Sequence, residues 1–248
     1  MKKLLIITAF IAVTSGANAQ ISFGVQAGAN IGKVQAKYTG SQTFTSNFKS
    51  KTGLLIGAIA EIPFSGNILF RPELNFIQKG FKNEESQIDP YSQYSSYTYS
   101  ETMTMNFIEL PLNFVYEMKT GPKGLFFGAG PSFGFGISGK YKTVEHQFQS
   151  GYFDTTYSTI ADVKFDGKKD ANDNNAHLRG FEFGANLLAG YKMPIGLYFS
   201  LSYSFGLTNL SVQNNASMKT SGIGLKAGWM FGSKASHSGR SKESKKRK

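Results

Sequence analysis

Between Arg179 and Leu207 the chain reads RGFEFGANLLAGYKMPIGLYFSLSYSFGL. Every second position is apolar: Phe181, Phe183, Ala185, Leu187, Ala189 and Tyr191, then, past a tight Met193-Pro194 turn, Ile195, Leu197, Phe199, Leu201, Tyr203 and Phe205. The positions between them (Glu182, Gly184, Asn186, Leu188, Gly190, Gly196, Tyr198, Ser200, Ser202, Ser204, Gly206) are almost wholly small or polar. Such alternation over two runs of about ten residues predicts a β-hairpin with one greasy face. Which solvent that face meets decides where the protein lives.

The N-terminus bears on this directly. Met1-Lys2-Lys3 is a basic start, Leu4 to Val13 an apolar run, and Ala17-Asn18-Ala19 a small-x-small cleavage site. The run is far short of the roughly 20 residues a spanning helix needs, so residues 1–19 are expected to be a cleaved export signal. The sequence has no cysteine, which removes a lipoprotein anchor, a disulfide framework and thiol chemistry, although an exported protein would be permitted disulfides. The formal charge of +11 suggests nucleic acid, but its distribution does not. Lys2 and Lys3 leave with the signal. The tail 233–248 holds seven Lys/Arg and one Glu, leaving 18 basic against 15 acidic residues in the body. A nearly neutral body is no footprint for DNA or RNA, and no nucleic-acid partner is expected.

Six further segments repeat the pattern of the two hairpin strands. In chain order the apolar sets run Ile21 to Ile31, Leu54 to Ile62, Ile68 to Phe76, Ile108 to Tyr116, Leu125 to Ile137, the two hairpin strands, and Ile223 to Phe231, each on one parity. That makes eight strands and no helix-period segment after the signal. The connections alternate in length. Pro63-Phe64-Ser65-Gly66, Lys119 to Lys123 and Lys192 to Pro194 are short, whereas 33–52, 81–102, 139–178 and 207–220 are long and polar. Short periplasmic turns and long extracellular loops mark a transmembrane barrel. The apolar stripes carry about 35 side chains of valine size or larger. A closed eight-stranded barrel holds only roughly a dozen inside, so the greasy face must meet hydrocarbon. Gly24, Gly28, Gly57, Gly128, Gly130, Ser132, Gly134, Gly184, Ser200, Ser202, Gly224 and Gly228 suit the narrow lumen, and closure removes edges that lipid would not tolerate. The fold class is therefore all-β: an eight-stranded antiparallel up-and-down transmembrane barrel over 20–232, with a basic disordered periplasmic tail at 233–248.

Five motifs carry a resemblance: Arg71-Pro-Glu-Leu-Asn-Phe-Ile-Gln-Lys-Gly80, Ile108-Glu-Leu-Pro-Leu112, Gly128-Ala-Gly-Pro-Ser132, Gly184 to Tyr191, and Gly222-Ile-Gly-Leu-Lys-Ala-Gly228. Together they resemble the PorT-like outer-membrane β-barrel family, small eight-stranded barrels of the OmpA/OmpX type, over about 21–232. The resemblance implies a monomer in the cell outer membrane. It implies little about activity, and a secretion role need not follow. The chain departs from the pattern at its end, where Phe231 is followed by Gly232 and the basic tail instead of closing the sequence.

The lumen parity carries Glu61, Arg71, Glu73, Glu109, Glu182 and Lys226. Isolated charges there would be costly, so a polar plug in which Arg71 and Lys226 compensate the carboxylates is expected in preference to a proton or ion relay. His146, His177 and His237 lie outside the strands without metal-ligand spacing. Asp170-Ala-Asn172-Asp-Asn174 begins like a calcium loop, but Asn175 stands where glycine is needed and Phe181 where glutamate is needed. No metal, cofactor or catalytic residue is expected. His146 with Ser150 and Asp154 is the strongest arrangement for the alternative of a lipid-modifying enzyme, and loop position alone supplies no geometry for it. Tyr91, Tyr94, Tyr97 and Tyr99 read either as an adhesive surface or as a hairpin extending strands three and four. The 139–178 connection is long enough to signal function or disorder, and nothing in its sequence predicts a packed core. Its Tyr141, Phe148, Tyr152, Phe153 and Tyr157 are candidate recognition anchors for an extracellular or secreted protein. The expected function is structural or binding, without an open channel; the alternatives are the lipid-modifying enzyme and an accessory role in protein secretion. Outer-membrane lipid is the remaining expected partner.

Overall fold

The computed structural model describes residues 21–39, 43–88, 95–118, 124–169 and 173–231. The export signal at 1–19, the turn at 119–123, Tyr91, Tyr94, the Asp170–Asn172 start of the calcium-like pattern, His237 and the tail at 233–248 lie outside the described residues. Eleven strands follow in chain order: β1 Ser22–Thr39, β2 Thr43–Asn47, β3 Lys49–Ser65, β4 Ile68–Ile88, β5 Ser95–Glu117, β6 Leu125–Gln149, β7 Phe153–Lys164, β8 Ala176–His177, β9 Phe181–Lys192, β10 Leu197–Gly206 and β11 Ala216–Phe231. Eight of them close a ring in the order β1, β3, β4, β5, β6, β9, β10, β11 and back to β1. Closure runs antiparallel from Phe23↔Phe231 to Tyr38↔Ala216, and every other pair in the ring is antiparallel too. Each of the eight apolar segments read from the sequence falls in one ring strand. Two starts are displaced: Ile21 precedes β1, and Ile195 lies in the turn before β10, which begins at Leu197. Gly196 makes that turn possible. Its φ of 95° suits only glycine, and its N–H closes onto the Met193 carbonyl.

The apolar parity faces outward. Phe23, Val25, Leu54, Ile56, Leu74, Phe114, Phe127, Phe135, Leu187, Phe199, Leu201, Leu225, Trp229 and Phe231 are all exposed, while Arg71, Glu73, Asn75, Glu109, Asn113, Glu182, Asn186 and Lys226 are buried. A barrel of this kind is stable only where its exterior solvent is hydrocarbon.

The lumen is not only small and polar, as the sequence suggested. Two apolar layers bracket the mid-barrel polar residues. Near the short turns, Ile59, Val115, Phe126, Leu188, Tyr198 and Met230 form one cluster. At the other end, Val34, Leu55, Ile77, Phe81, Met103, Met105, Phe107, Val163, Leu178, Leu210 and Met218 form a second. The polar reading fails there because the strands outrun the bilayer. A hydrocarbon core of ~30 Å takes about 9–11 tilted residues, whereas β5 has 23 and β6 has 25. Past the membrane boundary water replaces lipid and the pattern inverts. On β5 the lower segment puts Ile108, Leu110 and Phe114 outside, and the upper segment puts Met103, Met105 and Phe107 inside.

The long connections are accordingly strand-rich. The 139–178 segment is not a structureless loop: β6 runs on to Gln149 and β7 returns beside it from Gln149↔Phe153 to Lys140↔Asp162. It does build packed core, through buried Val163 and Leu178 and the partly buried Phe165. Of the two readings of the tyrosine-rich segment, the extended hairpin holds, because β4 and β5 stay paired up to Ile88↔Ser96. Upper β4, β5, β6 and β7 thus form one four-stranded sheet standing above the barrel.

Candidate functional site

The interior charges sort into three clusters, built by strands that bring the same parity to one level. Near the short turns, Arg71 on β4 pairs with Glu61 on β3, and its guanidinium lies 4.2 Å from the Phe126 ring centre. Lys192, ending β9, reaches Glu61 at 2.9 Å and Glu117 at 3.2 Å. At mid-barrel Lys226 bonds Glu73 at 2.8 Å. Gln26 and Asn75 donate to the same carboxylate at 2.9 and 3.1 Å, and Tyr198 donates to Gln26 at 2.9 Å. Farther up, Lys79 bridges Glu109 at 2.9 Å and Glu182 at 2.7 Å, while Ser132 donates to Glu109 and Thr220 to Glu182.

All six lumen residues singled out by the sequence are buried, but their partnership differs from the one expected. Arg71 meets only Glu61 and Lys226 only Glu73. Glu109 and Glu182 rely on Lys79, and Glu61 shares Lys192. Sequence reading missed both lysines. Lys79 shares the parity of Arg71 and Glu73 and stands in a quoted motif, so carrying the strand three residues past Phe76 would have found it. Lys192 was read as a turn residue, although its side chain is mostly buried. Four buried carboxylates thus face four cations. Each is held by geometry, which suits a static plug better than chemistry.

The second candidate region is the projecting sheet. At its tip Phe148, Tyr152, Phe153 and Tyr157 are exposed, Tyr152 most of all at 82%. Tyr152 sits in the β6–β7 turn, where its N–H reaches the Gln149 carbonyl at 3.0 Å. Phe153 and Tyr157 share a face with Glu145 and Gln149, and Phe148 points to the other face with Asp154. Tyr141 differs from these four. It packs partly buried against the upper apolar cluster, and its hydroxyl donates to Glu101. Burial, a hydrogen bond to that carboxylate and its negative charge all push the Tyr141 hydroxyl's pKa well up.

Among the described residues, nothing pairs with the outer edge of β7 between Phe153 and Ala161. Its even-numbered residues turn their backbone groups away from β6: the Asp162 N–H meets the Asn175 side chain at 3.0 Å, and the Lys164 carbonyl accepts from Leu178 at 2.8 Å. Pairing on that side begins only at Val163↔Ala176. By the same alternation, Asp154, Thr156, Ser158 and Ile160 present N–H and C=O groups to water. No proline, glycine or lysine interrupts Phe153–Val163, the usual devices that blunt an edge.

His146 Nε2 lies 2.9 Å from Asp154 Oδ1 on the exposed hairpin; among the described residues nothing joins Ser150 to that pair. His177 is more strongly held. Its Nδ1 is 2.7 Å from Asp166 and its Nε2 2.9 Å from Asp173, which also binds Lys164 at 2.8 Å. Carboxylates only accept, so both ring nitrogens must carry protons for both bonds to exist. Those two bonds raise the His177 pKa. The bond from His177 lowers that of Asp166, and Lys164, Asn175 and His177 together lower that of Asp173.

An inside-out eight-stranded barrel with short turns at one end and a projecting sheet at the other is a small outer-membrane barrel. The chain belongs to the outer membrane protein beta-barrel domain family, whose model matches residues 16–212, and its place is the outer membrane. No curated protein matches the sequence. Among solved structures the chain is similar to Ail, the attachment invasion locus protein of Yersinia pestis, in complex with the heparin analogue sucrose octasulfate. The identity is 12% over 87% of this chain and 100% of that one, with a TM-score of 0.35. Neisserial surface protein A is similar at 11% identity, 84% and 97% coverage and a TM-score of 0.32. The outer membrane protease OmpT of Escherichia coli is similar at 11%, 88% and 100%, with a TM-score of 0.27. Likeness at this level carries no argument about activity.

Proposed function

We propose that this outer-membrane barrel is a monomeric, non-catalytic binding protein that captures an extended segment of an extracellular or secreted protein on the free edge of β7. The observation that carries the reading is that edge: Asp154 to Ile160 offers backbone donors and acceptors to water, flanked by exposed Tyr152, Phe153 and Tyr157. Main-chain bonds to an added strand supply affinity and side-chain pockets supply specificity; the aromatic residues are the anchors that dominate such interfaces. Absence of a channel is supported by the two apolar layers and three ion clusters filling the lumen. Absence of catalysis is supported by the exposure of the His146–Asp154 pair, to which no hydroxyl of the described residues is hydrogen-bonded. Kinship with PorT-like barrels rests on the five motifs, and a partner in transit through a secretion system fits the same edge.

The test uses Ser158→Pro, which removes an outward N–H and leaves every β6–β7 bond in place, beside a Tyr152→Ala/Phe153→Ala/Tyr157→Ala variant. Barrels in nanodiscs are assayed for binding to intact cells and to secreted proteins from the same organism. Both variants should keep heat-modifiable gel mobility and lose binding at least tenfold. Undiminished binding by both overturns the reading.

A further inference from the structure

The charges above the membrane are segregated. Residues 21–60 and 193–231, which supply β1, β2, β10, β11 and most of β3, contain no Asp or Glu. Of the carboxylates of the projecting region, Glu84, Glu85, Glu101, Glu145, Asp154 and Asp162 sit on β4 to β7, and Asp166 and Asp173, which follow β7, are held by His177. On the acid-free wall, β1 and β11 make three successive outward rungs: Lys33↔Ser221, Gln35↔Lys219 and Lys37↔Ser217. Each rung holds one lysine opposite one neutral hydrogen-bonding side chain. The alternate positions Val34, Thr220 and Met218 are buried, so all three lysines face away from the barrel, and all three are exposed. None has a hydrogen bond or ion pair with another described residue.

Their height is set by the rung below. Ile31↔Ile223 is outward and exposed, and the apolar wall continues beneath it through Leu225. The lysines therefore begin about 7 Å above the last apolar rung, from the rise of two residues along a strand. That is where the phosphates of outer-leaflet lipid lie, directly over acyl chains packed on Ile31 and Ile223. Lys33 and Lys37 are four residues apart, about 13 Å, with Lys219 midway on the neighbouring strand, so their flexible ammonium groups can converge on one headgroup. An exterior charge cluster without internal partners, at the border between hydrocarbon and water, calls for anions fixed at that border.

We propose that Lys33, Lys37 and Lys219 form a binding site for the phosphate groups of a phosphorylated outer-leaflet glycolipid, with Ser217, Ser221 and Gln35 as neutral donors. The occupant is lipid and not free phosphate, because the site gains its second half from the apolar rung beneath, Ile31↔Ile223. Electrostatic attraction of about 1 kcal/mol per lysine near an anionic surface makes the three together worth about a hundredfold in retention.

Native mass spectrometry of the full chain in zwitterionic detergent tests this, with diphosphoryl lipid A, its dephosphorylated form, or inorganic pyrophosphate as probe. The protein should retain diphosphoryl lipid A about a hundredfold better than Lys33→Ser/Lys37→Ser/Lys219→Ser does. Both should hold the dephosphorylated lipid equally weakly, and pyrophosphate should not displace the lipid. Lys82→Ser/Lys142→Ser, on the acid-bearing wall, should behave as wild type. If the triple variant does not fold, Lys219→Glu alone should still lower retention at least tenfold. Retention unchanged in the triple variant or in Lys219→Glu, an equal loss in the Lys82/Lys142 variant, or displacement by pyrophosphate would each overturn the proposal.

Discussion

Replacing Lys79 by methionine asks how dry the lumen is. Lys79 is buried between Glu109 at 2.9 Å and Glu182 at 2.7 Å, and methionine keeps most of its volume. Removing one partner of a buried ion pair costs about 3–5 kcal/mol, chiefly because the other charge stays behind unpaired. Here two carboxylates are stranded, each left with one hydroxyl donor, Ser132 at 3.0 Å or Thr220 at 2.5 Å. Charge-assisted bonds of about 1.5–3 kcal/mol soften the loss without abolishing it, so the net cost should be about 4 kcal/mol. Converting the whole cluster, Lys79→Met/Glu109→Gln/Glu182→Gln, strands nothing and should lie within about 2 kcal/mol of wild type. Urea unfolding in phospholipid vesicles measures both. Trp229 is the only tryptophan and is exposed on the lipid face, so its emission reports loss of the barrel directly. A Lys79→Met cost below 1 kcal/mol, or a triple variant no better than the single one, would mean that water reaches these carboxylates.

Leu201→Arg, on the outer face between Ala189 and Leu225, should cost about 2–4 kcal/mol as a mid-membrane charge. Ser202→Ala, buried and pointing inward, should cost about 1 kcal/mol or less; vesicle unfolding that reversed this order would put the wrong face in lipid. Purified protein in planar bilayers should give no steady current, since open channels need about 16 strands; stable currents altered by mutating Glu73 or Lys226 would restore a pore. The His177 clamp should be pH-dependent at both ends. The histidine's pKa is raised above its ordinary 6.5, so its contribution is full below that value and is lost as pH rises through the folded one. The aspartates are lowered from 3.8, so theirs is full above that value and is lost in stronger acid. Trypsin cleavage at Lys168 and Lys169 should therefore accelerate above neutrality, and His177→Gln should remove that dependence; a flat profile in the wild type would show that the clamp does not hold this segment.

The membrane-spanning part was legible because lipid forces one parity to be apolar from end to end. Residues such as Phe199, Leu201 and Tyr203 alternate with Ser200 and Ser202, and eight such stripes carry more apolar bulk than a closed lumen can hold. Legibility stopped at the water boundary. There Met103 and Phe107 turn inward on a strand whose Ile108 and Leu110 face out, so a single-parity rule ends the strand too early. The same boundary hid Lys79. The segment Ile77 to Phe81 breaks alternation, with Lys79, Gly80 and Phe81 all buried. Gly80 marks the place: a Cβ there would lie 2.0 Å from the Met103 carbonyl oxygen, an approach that only glycine permits. The projecting sheet was hidden for a different reason. Thr- and Ser-rich strands such as Phe153–Lys164 carry no strong apolar stripe, and only their pairing with β6 in space makes them strands. The lysine rungs on β1 and β11 needed the register, because Lys33, Lys37 and Lys219 become neighbours only when the first and last strands close the ring.

The apolar parity meets lipid, and the other parity fills the lumen. The sequence has no cysteine, so single cysteines placed along β10 from Phe199 to Tyr203 can be labelled with a small fluorophore without background. Vesicles made with brominated acyl chains then report which labels touch hydrocarbon, in protein that keeps its heat-modifiable fold. Labels at 199, 201 and 203 should be strongly quenched and those at 200 and 202 should not. Uniform quenching, or quenching at 200 and 202 alone, would contradict the inside-out barrel.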